Sequence, residues 1–534
     1  MMASNVSRDV SQDQSSVVQT CKPWYAFATV AAGRFVRFAS RVTKHGGSAL
    51  PGKVVEKIDP GFLTRTLGQL PLGVVLVSGT NGKTTTTRMV ASMLSDLGLK
   101  VFTNPTGSNF VRGVVSALLT EVTLGGKLDA DIAVLELDEA YAVHFVKQVK
   151  PRYALLLNVM RDQLDRFGEI DTTAKLLSHV AAATTGTVVL NREDPRIAAL
   201  AAKAPAGTTV RYFGLADDLR HYFPSDDDMA TTVSVEGVAG PLPSARTPLS
   251  PRSELRGASA GTAELPADVT LTAVGDHKAT FQMDGQGYAT DVKLEGVYNL
   301  YNAAAALAVV RAVAADAQAM FLPFEDALAD SVDADGADTG TETDGNGSHD
   351  AIDQAAADEI LRAAGVSPRM IAFAHATTQA MIDTAGEVTP AFGRGEVITV
   401  NGTPVELLLV KNPMGFRLSL ASFKPEGCDT MICINDEYAD GRDMSWLWDV
   451  DFTSLRGTGV KAVSGVRAWD MALRLEYDQV PVESVSTDLE ESVVDFVNAN
   501  SGTPKHIYCT YTAMLKTRAA LAKIADVADA GVGK

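Results

Sequence analysis

The feature that most constrains this chain is the run Val74-Val-Leu-Val-Ser-Gly-Thr-Asn-Gly-Lys-Thr-Thr-Thr-Thr-Arg-Met-Val90, where an apolar stretch breaks into a glycine turn and then into helix-forming sequence. It predicts a strand, a phosphate loop and a helix. Gly79 and Gly82 have no Cβ, so the backbone can bend tightly and aim successive N–H groups at an anion, and the following helix adds the positive end of its dipole. Thr80, Asn81 and Thr85 complete the candidate nucleotide-binding loop. Lys83 is spaced to reach the outer phosphates of ATP, and Thr84 places a hydroxyl where a Mg²⁺ bridging two phosphates needs an oxygen ligand. The ordinary P-loop pattern has a glycine five positions before the second one, and Val77 stands there. What remains is the shorter form Gly79-Thr-Asn-Gly-Lys-Thr-Thr.

A chain of 534 residues at 46% hydrophobic content is too long for one core and implies two or three domains. The formal charge of −18 argues against nucleic acid as a partner, since phosphate backbones need clustered Lys and Arg. The divisions read as a disordered tail over 1–20, a helix and linker over 21–58, a central domain over 59–320 with an insert at about 215–291, an acidic disordered insert over 321–360, and a C-terminal α/β domain over 361–534. Cys21, Cys428, Cys433 and Cys509 are too few and too scattered for a disulfide framework, which fits a reducing cytoplasm. Cys428 and Cys433 lack two further ligands, so no zinc is expected. Trp24 to Val42 reads as an amphipathic basic helix around Arg34, Arg37 and Arg41; it either packs on the nucleotide domain or touches an anionic membrane surface.

After the loop helix, Lys100 to Thr103 reads as a strand, Val111 to Thr120 as a helix, and Asp131-Ile-Ala-Val-Leu-Glu-Leu-Asp-Glu139 as a strand ending in carboxylates. Ligands of open α/β sheets gather at the carboxyl ends of strands, which places Glu136, Asp138 and Glu139 near the metal held by Thr84. Two more buried strands, Arg152 to Asn158 and Thr187 to Asn191, complete a doubly wound parallel sheet; Val269 to Asp291 alternates like a hairpin.

The loop at Gly79, the strand end Leu135-Glu-Leu-Asp-Glu-Ala140, Asn158-Val-Met-Arg-Asp-Gln-Leu-Asp, Leu190-Asn-Arg-Glu-Asp-Pro195 and Gly296-Val-Tyr-Asn-Leu-Tyr-Asn-Ala-Ala-Ala-Ala306 resemble, in order, the motifs of a Mur ligase central domain. The resemblance implies a metal-binding role for Glu136 and an adenine-side role for Asn299 and Asn302, which otherwise read as the start of an alanine-rich helix. It also implies that Arg394, in Phe392-Gly-Arg-Gly-Glu396, reaches the γ-phosphate from the second domain, with Lys411 and Asn412 lining the cleft. Gln163 stands where most Mur ligases carry a histidine as a second metal ligand. Lys175 is either the counterpart of a lysine that becomes carbamylated in several Mur ligases or a surface lysine.

Ile434-Asn-Asp-Glu-Tyr-Ala-Asp-Gly-Arg-Asp-Met-Ser-Trp-Leu-Trp-Asp-Val-Asp451, Ser464 to Leu475 and Tyr511 to Leu515 are similar to the C-terminal domain of the MurT family. Several MurT proteins carry four zinc-binding cysteines in the central-domain excursion, and residues 215–291 contain no cysteine. The resemblance implies an ATP-dependent ligase subunit acting on lipid II at the membrane face, with a GatD-like glutamine amidotransferase as partner. The phosphate loop begins 78 residues in, which leaves no room before it for the UDP-binding domain of the standard Mur ligases and fits a lipid-linked acceptor. In such complexes the ligase subunit lends an aspartate to the partner's Cys and His; Asp443 is the expected residue here, with Asp440 and Asp449 in reserve. The alternative for this loop is a turn held by Asx hydrogen bonds. Two other functions fit the chain: an amino-acid-adding ligase of the folylpolyglutamate synthase type, and a non-catalytic P-loop scaffold.

Overall fold

The computed structural model describes residues 25–42, 50–104, 109–160, 170–222, 265–275, 278–293, 297–335, 358–359, 361–363, 365–388, 394–438 and 440–527. The expected tail over 1–20, Gln163, and most of the insert about 215–291 lie outside them.

Nine strands form the first sheet: β1 Val74–Ser78, β2 Val101–Thr103, β3 Ile132–Glu136, β4 Tyr153–Leu156, β5 Thr187–Asn191, β6 Thr209–Leu215, β7 Val269–Gly275, β8 Lys278–Met283 and β9 Gln286–Asp291. Their order is β2-β3-β1-β4-β5-β6-β7-β8-β9. β1 to β7 run parallel, and β8 and β9 extend the sheet as antiparallel strands. In β1, β3, β4 and β5 every residue is buried, as unbroken Val, Leu and Ile runs require when helices cover both faces. Asp284 and Gly285, both at positive φ, make the tight turn between β8 and β9, which bears out the hairpin.

One face is covered by α1 Ala26–Val42, α2 Leu50–Ile58, α3 Phe62–Leu67, α5 Val111–Glu121, α6 Glu139–Val146 and α7 Ile170–Ala183. The other is covered by α4 Lys83–Asp96 and α8 Val297–Asp335. Tyr298–Phe321 of α8 is apolar and long enough to cross a membrane, but most of it is buried in the protein core. Two expected boundaries shift. Helix α8 runs on to Asp335, into the stretch read as an acidic disordered insert, while 336–357 lie outside the described residues. Helices α9 Pro368–Ala374 and α10 Thr378–Glu387, placed by sequence in the C-terminal domain, belong to the first core: Met370, Ile371, Phe373, Met381 and Ile382 pack into it. Helix α10 lies against α4, α8 and the edge strand β9, and Lys293 N–H donates to the Gly386 carbonyl.

The second sheet has the order β10-β11-β15-β12-β13-β14, from β10 Arg394–Val400, β11 Thr403–Leu409, β12 Asp429–Cys433, β13 Ala462–Ser464, β14 Val485–Ser486 and β15 Lys505–Cys509. Only the edge pair β10–β11 is antiparallel. Helices α11 Pro413–Ser422, α12 Ala468–Tyr477, α13 Leu489–Asn498 and α14 Tyr511–Leu521 surround it and bury an apolar core on each face.

Candidate active site

The loop leaves the carboxyl end of β1 and enters α4 through two glycines at φ +132° and +84°. Neither position tolerates a side chain: a Cβ on Gly82 would lie 2.7 Å from Asn302 Oδ1, and one on Gly79 would lie 3.0 Å from the Asn158 backbone. Asn158, at the end of β4, clamps the loop. Its carbonyl accepts from Thr80 N–H at 2.9 Å, its Oδ1 accepts from Asn81 N–H at 2.8 Å, and its amide donates to the Asn81 carbonyl at 3.0 Å. Asp194 then accepts from Val159 N–H at 2.7 Å and from Arg196 and Ile197 N–H, tying the β4 and β5 ends together. Burial pushes its carboxyl pKa up.

Lys83 is buried. Its ammonium donates to the Gly79 carbonyl at 2.7 Å and lies 3.4 Å from both Asp138 Oδ1 and Glu139 Oε1. Thr84 Oγ1 donates to Glu136 Oε1 at 2.9 Å, and Glu136 is fixed through its backbone by Asn104. Glu136, Asp138 and Glu139 are all buried, and two of them, Asp138 and Glu139, face the Lys83 ammonium. Thr84 with Glu136 supplies the hard oxygen donors that suit a divalent cation. Among the described residues no three His, Cys, Asp or Glu converge as a closed metal site. The remaining oxygens would therefore come from the nucleotide's phosphates and water, as is usual for Mg²⁺.

Beside the loop, a cleft between the two domains is lined by Asn81, Gly82, Thr85, Tyr298, Asn299 and Asn302 on one side and by Lys411, Leu418, Ser419 and Phe423 on the other. The Asn302 amide nitrogen is buried without a protein acceptor, the environment a nucleobase acceptor would complete. Asn81 and Asn412 join the walls through reciprocal amide bonds, Asn412 Nδ2 donating to Asn81 Oδ1 at 2.8 Å and Asn81 Nδ2 to Asn412 Oδ1 at 3.4 Å. Asn412 also caps α11, accepting from Gly415 N–H. The clamp by Asn158 and the α11 wall were not predicted; an asparagine bridge and a helix face carry no spacing signature.

The structure gathers Gly79 to Thr85, Glu136, Asn299 and Asn302 into one site. Arg394 begins β10 and pairs with Leu408 beside the cleft; its side chain lies outside what the structure describes. Lys175 is exposed on α7. In the second domain, Asp443 is exposed and its Oδ1 accepts from Ser445 N–H at 2.9 Å; hydrogen bonding by the Ser445 side chain first, and then by its backbone, holds the carboxyl below the usual range. Asp440, held in reserve, is instead buried: it accepts from Thr512 N–H and Oγ1 and from Glu437 N–H, and so pins the loop to α14. Asp449 is exposed. Next to this loop, Trp469, Leu473 and Tyr477 lie four residues apart on the outer face of α12, and Tyr477 packs edge-on against the half-exposed Trp448 at 5.0 Å.

A parallel sheet, a phosphate loop with a threonine–carboxylate pair, and a second α/β domain over its mouth are the architecture of the Mur ligases. The Mur ligase middle domain family matches residues 77–238, and the MurT ligase C-terminal family matches residues 409–514. The chain thus carries the two domains of a MurT-type ligase subunit in order, the Mur ligase middle domain and then the MurT C-terminal domain. It is 28% identical over 511 residues to the lipid II isoglutaminyl synthase (glutamine-hydrolyzing) subunit MurT of Streptococcus pneumoniae, covering 92% of this chain and 96% of that one. With the MurT subunit of Staphylococcus aureus strain COL it shares 27% over 460 residues, 85% and 89% of the two chains. In fold it is similar to MurF of Acinetobacter baumannii, with a TM-score of 0.55 at 16% identity over 90% of this chain and 81% of that one. It is also similar to MurF of Thermotoga maritima solved with ADP, at 0.53 and 15% over 87% and 83%.

Proposed function

We propose that this chain is the ligase subunit of a lipid II isoglutaminyl synthase, which amidates the α-carboxyl of D-glutamate in the lipid II stem peptide using ATP. The observation that carries the reading is the buried Lys83, Thr84 and Glu136 constellation at the mouth of a phosphate loop, in a chain aligned along nearly its whole length with MurT subunits.

A carboxylate oxygen of the acceptor attacks the γ-phosphorus of ATP, the bond to the β-phosphate oxygen breaks, and ADP leaves. Lys83 neutralises charge spreading over the transferred group, and Arg394, entering from the second domain, does the same from the other side. Thr84 and Glu136 would hold Mg²⁺, which would supply charge neutralisation for the phosphates. Asn302 and Asn299 position the adenine. The lone pair of ammonia then attacks the acyl carbon, inorganic phosphate departs with the C–O bond electrons, and loss of a proton leaves the amide.

Ammonia comes from a GatD-like glutamine amidotransferase docked on the second domain. The outer aromatic face of α12 beside the Asp443 loop supports such a contact, since Trp and Tyr anchors are characteristic of interfaces. Asp443, ionised and outward-facing, would orient the partner's histidine.

The test is ADP release by the purified chain with lipid II and ammonium chloride, with mass analysis of the lipid product. Turnover dependent on both substrates and a product with one carboxyl converted to amide are expected. Addition of a whole amino acid would replace this reading with the folylpolyglutamate type of ligase. Nucleotide binding without turnover under any nitrogen source would leave the scaffold function.

A further inference from the structure

Helix α1 has one face built into the protein and one left outside. Gly33 is the point of closest approach: a Cβ there would lie 2.7 Å from Leu119 and 2.8 Å from Val55. Arg34 locks the rotation of the helix, its guanidinium donating to the Leu119 carbonyl at 2.8 Å and the Val122 carbonyl at 2.6 Å, where the last carbonyls of α5 would otherwise lack partners. Phe35 and Phe38 follow two and five positions after Gly33, about 200° and 140° around the helix, and so point away from that contact. They are 70% and 67% exposed.

Beyond the α5 end that Arg34 holds, Thr123 N–H donates to the Lys127 carbonyl and Gly126 N–H to the Thr123 carbonyl, closing a tight loop. Its tip presents Leu124, 61% exposed, with Lys127 exposed beside it. Three of the most exposed large apolar side chains among the described residues thus come from two segments tied together by one arginine. Helix α1 carries Arg34, Arg37 and Arg41 and no carboxylate, in a chain of net charge −18; Glu121 is the one acid in the adjoining segment 119–127.

We propose that this face, Phe35 and Phe38 of α1 with the Leu124 loop, docks the protein on an anionic phospholipid bilayer. Aromatic and leucine side chains beside the exposed Lys127, on segments whose own charge is net positive, fit the interfacial layer, where rings enter the acyl boundary and basic groups meet lipid phosphates. A second copy of the chain fits the same face poorly, because it would bring two arginine-bearing helices together. The docking stands on α1 and its loop alone. Its use, to hold the enzyme where a lipid-linked acceptor lies, rests on the function proposed above.

The test is co-sedimentation of the full chain with large vesicles of phosphatidylcholine, with and without phosphatidylglycerol. Binding only to the phosphatidylglycerol vesicles is expected, weakening as NaCl rises from about 0.1 M to about 0.5 M. The double variant Phe35→Ser/Phe38→Ser should partition roughly tenfold less, and Leu124→Ser less strongly reduced, since each removes exposed apolar area that enters the interface. Both should keep the wild-type melting temperature and ammonium-driven amidation of detergent-solubilised lipid II. Equal binding to both vesicle types, no binding, or wild-type partitioning of the double variant would overturn the proposal. So would a double variant that changes the oligomeric mass but not vesicle binding, which would make the face a contact between copies. If vesicles bind but lipid II is never amidated, the functional reading fails and the docking surface stands.

Discussion

Lys83 is committed twice over, to the carbonyl of Gly79 that shapes the phosphate loop and to the carboxylates of Asp138 and Glu139. Lys83→Ala should therefore abolish ATP turnover and also destabilise the protein, because two buried carboxylates lose their cation, at a cost of about 3 kcal/mol for breaking a buried pair. Calorimetric unfolding alongside an ADP-release assay checks both effects; retained turnover would remove Lys83 from the site. Its position, like those of Thr84 and Glu136, was legible in the sequence because phosphate and metal chemistry impose fixed spacings next to a strand end. Asn158 was not legible as a clamp. It works by shape, one amide and one carbonyl bridging a neighbouring loop, and many residue spacings could deliver that.

At the scale of elements, the acidic loop after β12 separates two aspartates that look alike in sequence. Asp440 satisfies Thr512 and Glu437 N–H groups inside the fold, whereas Asp443 has one local bond and faces out. Asp440→Ala should lower stability by about 2 kcal/mol, the usual scale for stranding buried donors, visible as a fall in denaturation midpoint. Asp443→Asn should leave that midpoint unchanged. In the complex with the partner it should lose glutamine-driven amidation while keeping most of the ammonium-driven rate; equal loss of both would place Asp443 in the ligase site. The two acids flank the Gly441-Arg442 turn, so the sequence could mark the loop but not rank its members. Burial depends on where α14 lands, a long-range contact with no local signature.

For the whole molecule, the cleft runs between two domains that the Asn81–Asn412 pair already joins. A non-hydrolysable ATP analogue with Mg²⁺ should raise the unfolding temperature, corresponding to about 2.7 kcal/mol at a hundred times the dissociation constant. Chelation of the metal should reverse most of that gain, because the buried Glu136 carboxylate beside Thr84 then meets the phosphates with no divalent cation between them. No effect of chelation would exclude the metal-binding role of Thr84 and Glu136. The alternation of strand and helix made the central fold legible, since parallel strands buried on both faces read as continuous apolar runs. The domain boundary was less so: an acidic, low-complexity stretch resembles a linker, and here one more pair of helices of the first domain comes after it.

That pair, α9 and α10, carries the end of the first folded unit past the acidic stretch. Because α10 seals the open rim at β9, a chain cut at residue 360 would retain every strand of the nucleotide domain yet leave the outermost one uncovered, along with the trench that Met370, Phe373, Met381 and Ile382 fill. Such a fragment should associate through that rim and sediment as large species, while one ending at residue 388 should stay monodisperse. The two halves therefore cannot be exchanged between relatives at the acidic stretch. A working chimera needs its joint after Val388, where the last side chain of the first core has been laid down.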